Sequence, residues 1–312
     1  MARLAIYVER YTIQRSQELN ALTQYRAAAE RMGHKADFLF RDDLRRIPEY
    51  DACLIRALTD PLNSSYLAAR IAQMHGLPVL DDPQSIQICC DKVNMYQRLM
   101  AADVRIPQTL FVKKSELDAA TARRVFDTLG TPLILKAPQS SFSAMVEKAE
   151  TVAEFLEIGK RFMRRPERMV AQRFMPSSFD WRVITLDGRV LAVCKYLIPE
   201  KSFKIIAMID GKLTWQPVQP WNVADADPRL LELAIRAGKA IGDGLYGVDL
   251  KQHGDVFTVI EVNDNPTIDA GSEDRFNPDL YEKIVRCLLE ERSPKRPPAP
   301  VPWRPRPASV EK

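Results

Sequence analysis

The sequence predicts an α/β chain: a small N-terminal parallel α/β domain, a middle α+β piece, and a third piece built mainly from hairpins. Three observations carry this. Apolar strand runs alternate with helical runs over residues 1–85; three helical runs accompany four short strands over 86–175; and Asp187-Gly188 and Asp210-Gly211 punctuate alternating strands after residue 176, as primed hairpin turns require.

In order, the spacing predicts a strand over 3–9 and a helix over 17–31 that stops at Met32-Gly33, then strands over 36–40 and 52–56. A helix over 64–74 capped by Ser64 or Ser65 and a strand over 77–80 complete this domain, and the lack of a GxGxxG run excludes a nicotinamide-binding Rossmann fold. Asp81-Asp82-Pro83 breaks the pattern, with a boundary near 85. The middle piece, 86–175, reads as helix 91–102, strand 109–112, helix 115–129, strand 133–136, a polar loop over 137–143, strand 145–148, helix 151–161 and strand 169–172. The third piece, 176–291, carries the hairpins 180–186/190–196 and 204–208/213–218, a helix over 228–241, a last hairpin over 245–263, and a helix over 278–289. Residues 292–312 form a Pro-rich basic tail, expected to be disordered.

Composition narrows the function classes. A chain of 312 residues fits two or three subdomains. The tail holds six Lys/Arg against one Glu, which more than accounts for the net charge of +4. The body is therefore nearly neutral, and nucleic acid is not an expected partner. Five cysteines without CxxC spacing and three isolated histidines imply neither zinc nor a disulfide framework. No run of eighteen apolar residues and no signal-like start are present, so the expected location is cytoplasmic, away from membranes.

The last hairpin puts acids where a half-buried sheet normally refuses them. Strict alternation sets Tyr246, Val248 and Leu250 on one face and Asp249 and Lys251 on the other. In the second strand it sets Ile260 and Val262 against Phe257, Val259, Glu261 and Asn263. A three-residue turn, His253-Gly254-Asp255, then places Asp249 opposite Val259 and diagonal to Glu261. Two readings fit: three hard oxygen ligands gathered for Mg²⁺, or a solvated strand face. Lys136 ends an apolar strand before the Pro138–Ser143 loop, whose N–H groups and hydroxyls, those of Ser141 and Ser143 included, suit phosphate or an ordinary surface hairpin. Asp180 and Arg182 share a strand face, which a surface ion pair also explains.

Five stretches, DKVNMYQRLMAADVRIPQT, PLILKAPQSSFSAMVEKAE, VAQRFMPSSFDWRV, GDGLYGVDLKQ and VIEVNDNPTIDAG, follow one another in an order and spacing that resembles the ATP-grasp enzymes, and most of all the RimK-like amino-acid ligases. The resemblance spans residues 85–290 and implies an α+β grasp fold in two parts, 86–175 and 176–291. It implies ATP with Mg²⁺, or Mn²⁺ in its place, as cofactors, and a carboxylate and an amine (an amino acid, or a peptide or protein terminus) as substrates. These would be joined as an amide through an acyl phosphate, and family members often assemble as homodimers or homotetramers. Carried over by position, Asp249, Glu261 and Asn263 match the metal ligands, and Lys92 and Lys136 the phosphate lysines. Gln172-Arg173-Phe174-Met175 matches the adenine hinge and Asp180 the acid near the ribose. Arg182 matches the arginine facing the reacting phosphate, with Lys204 a second basic group there. The chain departs from the pattern at Arg173, where an acid is usual, at Ala144-Met145, where glycine is common, and at Lys204-Ile205-Ile206, where Arg-Ser-Asn is familiar. These departures define an alternative: an ATP-binding regulatory or scaffold protein that keeps the grasp and has lost ligation. In the loop after the last strand, two readings fit Thr267, Asp269, Ser272 and Glu273, groups that meet an amine or a polar rim, and the rim is the expectation.

Overall fold

The computed structural model describes residues 1–139, 145–200, 202–209 and 212–292. Strands β1 (Arg3–Tyr7), β2 (Lys35–Leu39), β3 (Ala52–Ile55) and β4 (Val79–Leu80) form a parallel sheet in the order β2-β1-β3-β4, connected by α1 (Ser16–Arg31), a 3₁₀ stretch (Arg41–Glu49) and α2 (Ser64–Met74). Helix α1 ends as its sequence requires. Gly33 takes φ +79°, and His34 N–H reaches back to the Ala29 carbonyl at 2.9 Å. Asp81-Asp82-Pro83, expected only as a break, instead opens α3 (Pro83–Cys89). Asp82 accepts from the N–H groups of Gln84 and Ser85, and proline occupies the first turn. Asp91 caps α4 (Lys92–Ala101) in the same way.

The middle piece is an antiparallel sheet in the order β5-β8-β6-β7, made of β5 (Thr109–Lys113), β6 (Leu133–Lys136), β7 (Val146–Ala149) and β8 (Arg168–Arg173). Helices α5 (Ala119–Leu129) and α6 (Val152–Phe162) bury Val125, Phe155 and Phe162 against Leu133, Leu135 and Ala171. Helix α5 starts later than its periodicity suggests, because Lys114–Glu116 makes a separate 3₁₀ turn and Asp118 supplies the cap.

The third piece is a five-stranded sheet, order β13-β10-β9-β14-β15, from β9 (Phe179–Leu186), β10 (Arg189–Leu197), β13 (Val218–Trp221), β14 (Leu245–His253) and β15 (Val256–Asn263). Hairpin β11 (Ile206–Ile209) and β12 (Lys212–Trp215) stands apart from it. The single strand expected over 213–218 is two, because the chain leaves β12 and re-pairs as β13 on β10. Pro220 is tolerated in β13 because this strand lies at the sheet edge. Strand alternation sends Val183, Val248, Leu250 and Val262 toward α4 and α7 (Pro228–Ile241). It sends Ile184, Leu186 and Leu245 toward α1, the N-terminal sheet and α8 (Leu280–Arg286). The large sheet is thereby covered on both faces. Among the described residues no helix is long and apolar enough to cross a membrane.

The last hairpin differs from strict alternation in two ways. His253 pairs with Val256, so the turn has two residues, Gly254 and Asp255, with Gly254 at φ +56°. Asp249 pairs directly with Glu261 and Leu250 with Val259, leaving Ile260 as a bulge. The extra residue shifts the phase of β15. Phe257 and Val259 join the apolar core with Val262, while Glu261 and Asn263 keep the opposite face.

Candidate active site

Three adjacent strands bring three charged residues into one row: Arg182 of β9 pairs with Asp249 of β14, which pairs with Glu261 of β15. The Arg182 guanidinium grips Asp249 with two nitrogens, Nη2 to Oδ2 at 2.8 Å and Nε to Oδ1. From the start of α4, Lys92 closes the row, with Nζ 2.6 Å from Glu261 Oε1. Asn263 donates Nδ2 to Asp249 Oδ2 at 3.1 Å. All three expected oxygen ligands therefore share one patch, and the solvated-face reading fails, since Lys92 is buried and Glu261 and Asp249 are largely covered. Among the described residues no three His, Cys, Asp or Glu side chains cluster as a metal cage, the third member here being an asparagine. Gly247, opposite Asn263 in the pairing, makes room for the arginine: a Cβ there would lie 3.1 Å from Arg182 Cδ and 2.8 Å from Pro266 Cβ.

Burial and charge act against each other along the row. Burial pushes the Asp249 carboxyl up, against the pull of Arg182. Burial also opposes ionisation of Glu261, but Lys92 and Lys136 outweigh it and hold that carboxyl below its ordinary value. Arg182 is held upward by Asp249 despite its burial.

Behind the row, Lys136 ends β6 with Nζ donating to the Tyr96 hydroxyl at 2.6 Å, and that hydroxyl donates to the Ile260 carbonyl at 2.5 Å. The carbonyl belongs to the bulged residue. Burial lowers the Lys136 pKa to about 8. Asp180 does not pair with Arg182; it accepts from Lys251 Nζ at 2.6 Å, which corrects the ion-pair reading.

Two cavities meet at this row. A cleft of about 90 Å³ is lined by Lys136, Gln172–Met175, Asp180, Phe203 and Lys204, and it reaches Asp249 and Glu261. The expected hinge therefore lies on its wall. The Gln172 side chain is turned inward to Thr109 Oγ1, at 2.9 Å, and that of Arg173 outward to Gln108. Phe174 and Phe203 meet edge to face at 6.3 Å, with Lys148 Nζ over both rings. Lys204 sits in this cleft, half-buried, its pKa lowered by burial. Ser141 and Ser143 lie outside the described residues, as do residues 293–312 of the tail. On the other side of the row, a chamber of about 550 Å³ reaches from Arg182, Asp249, Glu261 and Asn263 to α1 of the N-terminal domain, with Ile205 and Ile206 on its wall.

Sequence reasoning missed Tyr96, Lys251 and Tyr196 as site residues. Tyr96 lies four residues after Lys92 on one helix face, and Lys251 two after Asp249 on one strand face, so both were open to periodicity. Tyr196 lies under the Arg182 guanidinium, 4.7 Å from ring centre to Cζ, and donates to Glu273 at 2.6 Å. Glu273 is thus no part of a polar rim: it is 2% exposed, and its other oxygen accepts from Asp269 N–H, while Thr267, Asp269 and Ser272 stay partly exposed.

A RimK-like ATP-grasp domain model matches residues 89–288. The glutamate–LysW ligase ArgX of Sulfolobus acidocaldarius is 24% identical over 251 residues, which cover 77% of this chain and 82% of that protein. Among solved structures, a RimK domain ATP-grasp protein from Sphaerobacter thermophilus superposes with a TM-score of 0.65 at 19% identity, covering 92% of this chain and all of that one. The D-alanine–D-alanine ligase of Bacillus anthracis complexed with ATP superposes at 0.67 with 16% identity, covering 93% of this chain and 97% of that one. With a matched domain over most of the chain and the same fold around it, the protein belongs to the RimK-like ATP-grasp family, the ATP-dependent carboxylate–amine ligases.

Proposed function

We propose that ATP binds at the cleft beside Gln172–Met175, which at about 90 Å³ must open to admit it, and that the chamber beyond the Arg182–Asp249–Glu261 row receives the carboxylate and the amine. The observation that carries this reading is that Asp249 and Glu261 line both cavities. A terminal phosphate at the end of the cleft then faces a carboxylate in the chamber across that row. The donors suit Mg²⁺, with Mn²⁺ as a substitute: two carboxylates in register and an amide, all hard ligands, with Asn263 turning its amide to offer oxygen. Held by these residues, the ion would supply charge neutralisation for the phosphates.

The chain's own residues do the rest. Lys92 and Arg182, now on the carboxylates, would turn to the phosphates once a cation takes those oxygens, and Lys136 and Lys204 approach from the cleft side. Phosphoryl transfer needs mainly this alignment and charge stabilisation. Ile205 and Ile206 give the chamber an apolar wall that limits water, which would hydrolyse an acyl phosphate. Asp180, held by Lys251, borders the cleft where a ribose would lie, and Gln172–Met175 where the adenine would. The acceptor is a free amino acid or a peptide or protein terminus, and the setting is the cytoplasm. A homodimer or homotetramer is the proposed assembly. The connected row suits phosphoryl transfer, and an ATP-binding scaffold that has lost ligation would keep the same row, so product formation is what separates the two readings.

The test is ADP release from Mg²⁺-ATP against the twenty amino acids, singly and in pairs, and against a peptide library, with mass spectrometry of each mixture. An amide product is expected. ATP bound without ADP release in every mixture overturns the proposal.

A further inference from the structure

Resting on the ligase reading, we propose that the carboxylate substrate carries an apolar side chain: an amino acid, or the last residue of a peptide, whose aliphatic or aromatic group lies against Ile205 and Ile206 in the chamber.

The place of these two residues carries the inference. Ile205 lines both the cleft and the chamber, as Asp249 and Glu261 do, so it stands where a terminal phosphate would meet a carboxylate. Ile206, the first residue of β11, continues the chamber wall and is 9% exposed. Among the described residues neither isoleucine belongs to an apolar cluster of the core. Leu22 of α1, Leu58 and Ile268 add apolar surface to the same chamber. Covering such surface favours a bound apolar group in proportion to the area removed from water.

Charge excludes the alternatives. Among the described residues the cations lining the chamber are three arginines, and each is committed. Arg182 grips Asp249 at the phosphate end. Arg15 donates to Glu18 at 2.7 Å. Arg56 gives its two terminal nitrogens to Asn265 Oδ1 and the Pro266 carbonyl, at 2.8 and 2.9 Å, and its charge also acts on Glu18 and Asp269. A side-chain carboxylate on the substrate would lose its water and gain no cation of its own, which is costly. A side-chain ammonium fares no better. Glu18 is matched by Arg15 and Arg56, and Asp249 and Glu261 by Arg182 and Lys92. The remaining acid on the wall, Asp264, is 6% exposed and bonds to Thr59. An uncharged, apolar side chain is the kind that leaves this balance intact.

The experiment traps the activated carboxylate. The full chain is given Mg²⁺-ATP, hydroxylamine and one carboxylate at a time: each of the twenty amino acids, and tripeptides that differ only in their last residue. The donor's carboxylate oxygen bonds to the terminal phosphorus as ADP leaves. The hydroxylamine nitrogen then bonds to the acyl carbon as phosphate leaves and a proton passes to solvent, so hydroxamate marks each donor that is used. Leucine, methionine and phenylalanine should exceed glutamate, aspartate and lysine by about 10- to 100-fold in kcat/KM, with the same ranking in whichever of the two forms is accepted. Along the unbranched series alanine, 2-aminobutyrate, norvaline, kcat/KM should climb about fourfold with each methylene. Ile206→Ser should flatten that climb, mainly through KM. The wild-type series needs no variant to fold. A charged donor used best, a level series in the wild-type protein, or an unaltered climb in Ile206→Ser overturns the proposal. Hydroxamate from glutamate above all other donors sinks the apolar site and leaves the ligase standing, whereas no hydroxamate and no ADP with any donor sinks both.

Discussion

The Lys92–Glu261 pair offers a number to test. Its two ends lie 2.6 Å apart, with the lysine side chain 4% and the glutamate 24% exposed. A pair of unit charges near 4 Å at an effective dielectric of 20 is worth about 4 kcal/mol, and desolvation takes back part of it. The coupling free energy from a double-mutant cycle of Lys92→Met and Glu261→Gln should therefore reach about 2–3 kcal/mol. Urea unfolding of the four proteins at low salt gives it directly from the midpoints at constant slope. Repeating the cycle with saturating Mg²⁺-ATP adds a second prediction, that the coupling falls below about 1 kcal/mol, because the ligand inserts its own charges between the partners. Glu261→Gln on its own should reduce ATP turnover by at least about 100-fold. A coupling under about 0.5 kcal/mol without ligand, or turnover unchanged in Glu261→Gln, refutes the reasoning.

Three further outcomes are expected. Lys136 is lowered from 10.5 to about 8 in the fold, so the unfolded chain binds the extra proton between these values and stability should rise with pH from about 8 to 10.5. Relative to Lys136→Met, the wild type should gain up to about 3 kcal/mol over that window, and a flat difference in urea midpoints would contradict it. Gly247→Ala puts a methyl against Arg182 and Pro266, and should cost about 1–3 kcal/mol and lower kcat at least tenfold, measured by melting and ADP release. Tyr96→Phe strips Lys136 Nζ and the Ile260 carbonyl of their shared hydroxyl; a loss of about 1–3 kcal/mol and a raised KM for ATP are expected, and an unchanged KM would count against Tyr96 as a support of the cleft.

What could be read in the sequence followed from local rules. Asp187-Gly188, with φ +50° and +70°, made the turn its residue types demand, and Thr151 with Glu154 closed the capping box that starts α6. Acids at Asp249 and Glu261 stood out because sheets seldom carry them, and the structure sets them face to face. The failures were those of long range. Period-two counting assigns Val259 to the side of Glu261, because nothing in the residue types announces an added residue between them. Glu273 read as part of a polar rim because the partner that covers it, Tyr196, is 77 residues away in the chain. Likewise the outward alternation of Asp180 and Arg182 was right, while their partners, Lys251 and Asp249, came from a neighbouring strand.

The bulge at Ile260 has an implication for how such a cleft can change over time. With Ile260 removed, Phe257 and Val259 still alternate with Glu261, Val262 and Asn263 in ideal pleat, so the hairpin holds one residue more than its pairing uses. That surplus residue serves the smaller cavity: it belongs to the lining, and its carbonyl steadies Tyr96, which in turn steadies Lys136. Gain or loss of a single codon there would reshape the floor of the cleft and leave the sheet, the acids and the core in place.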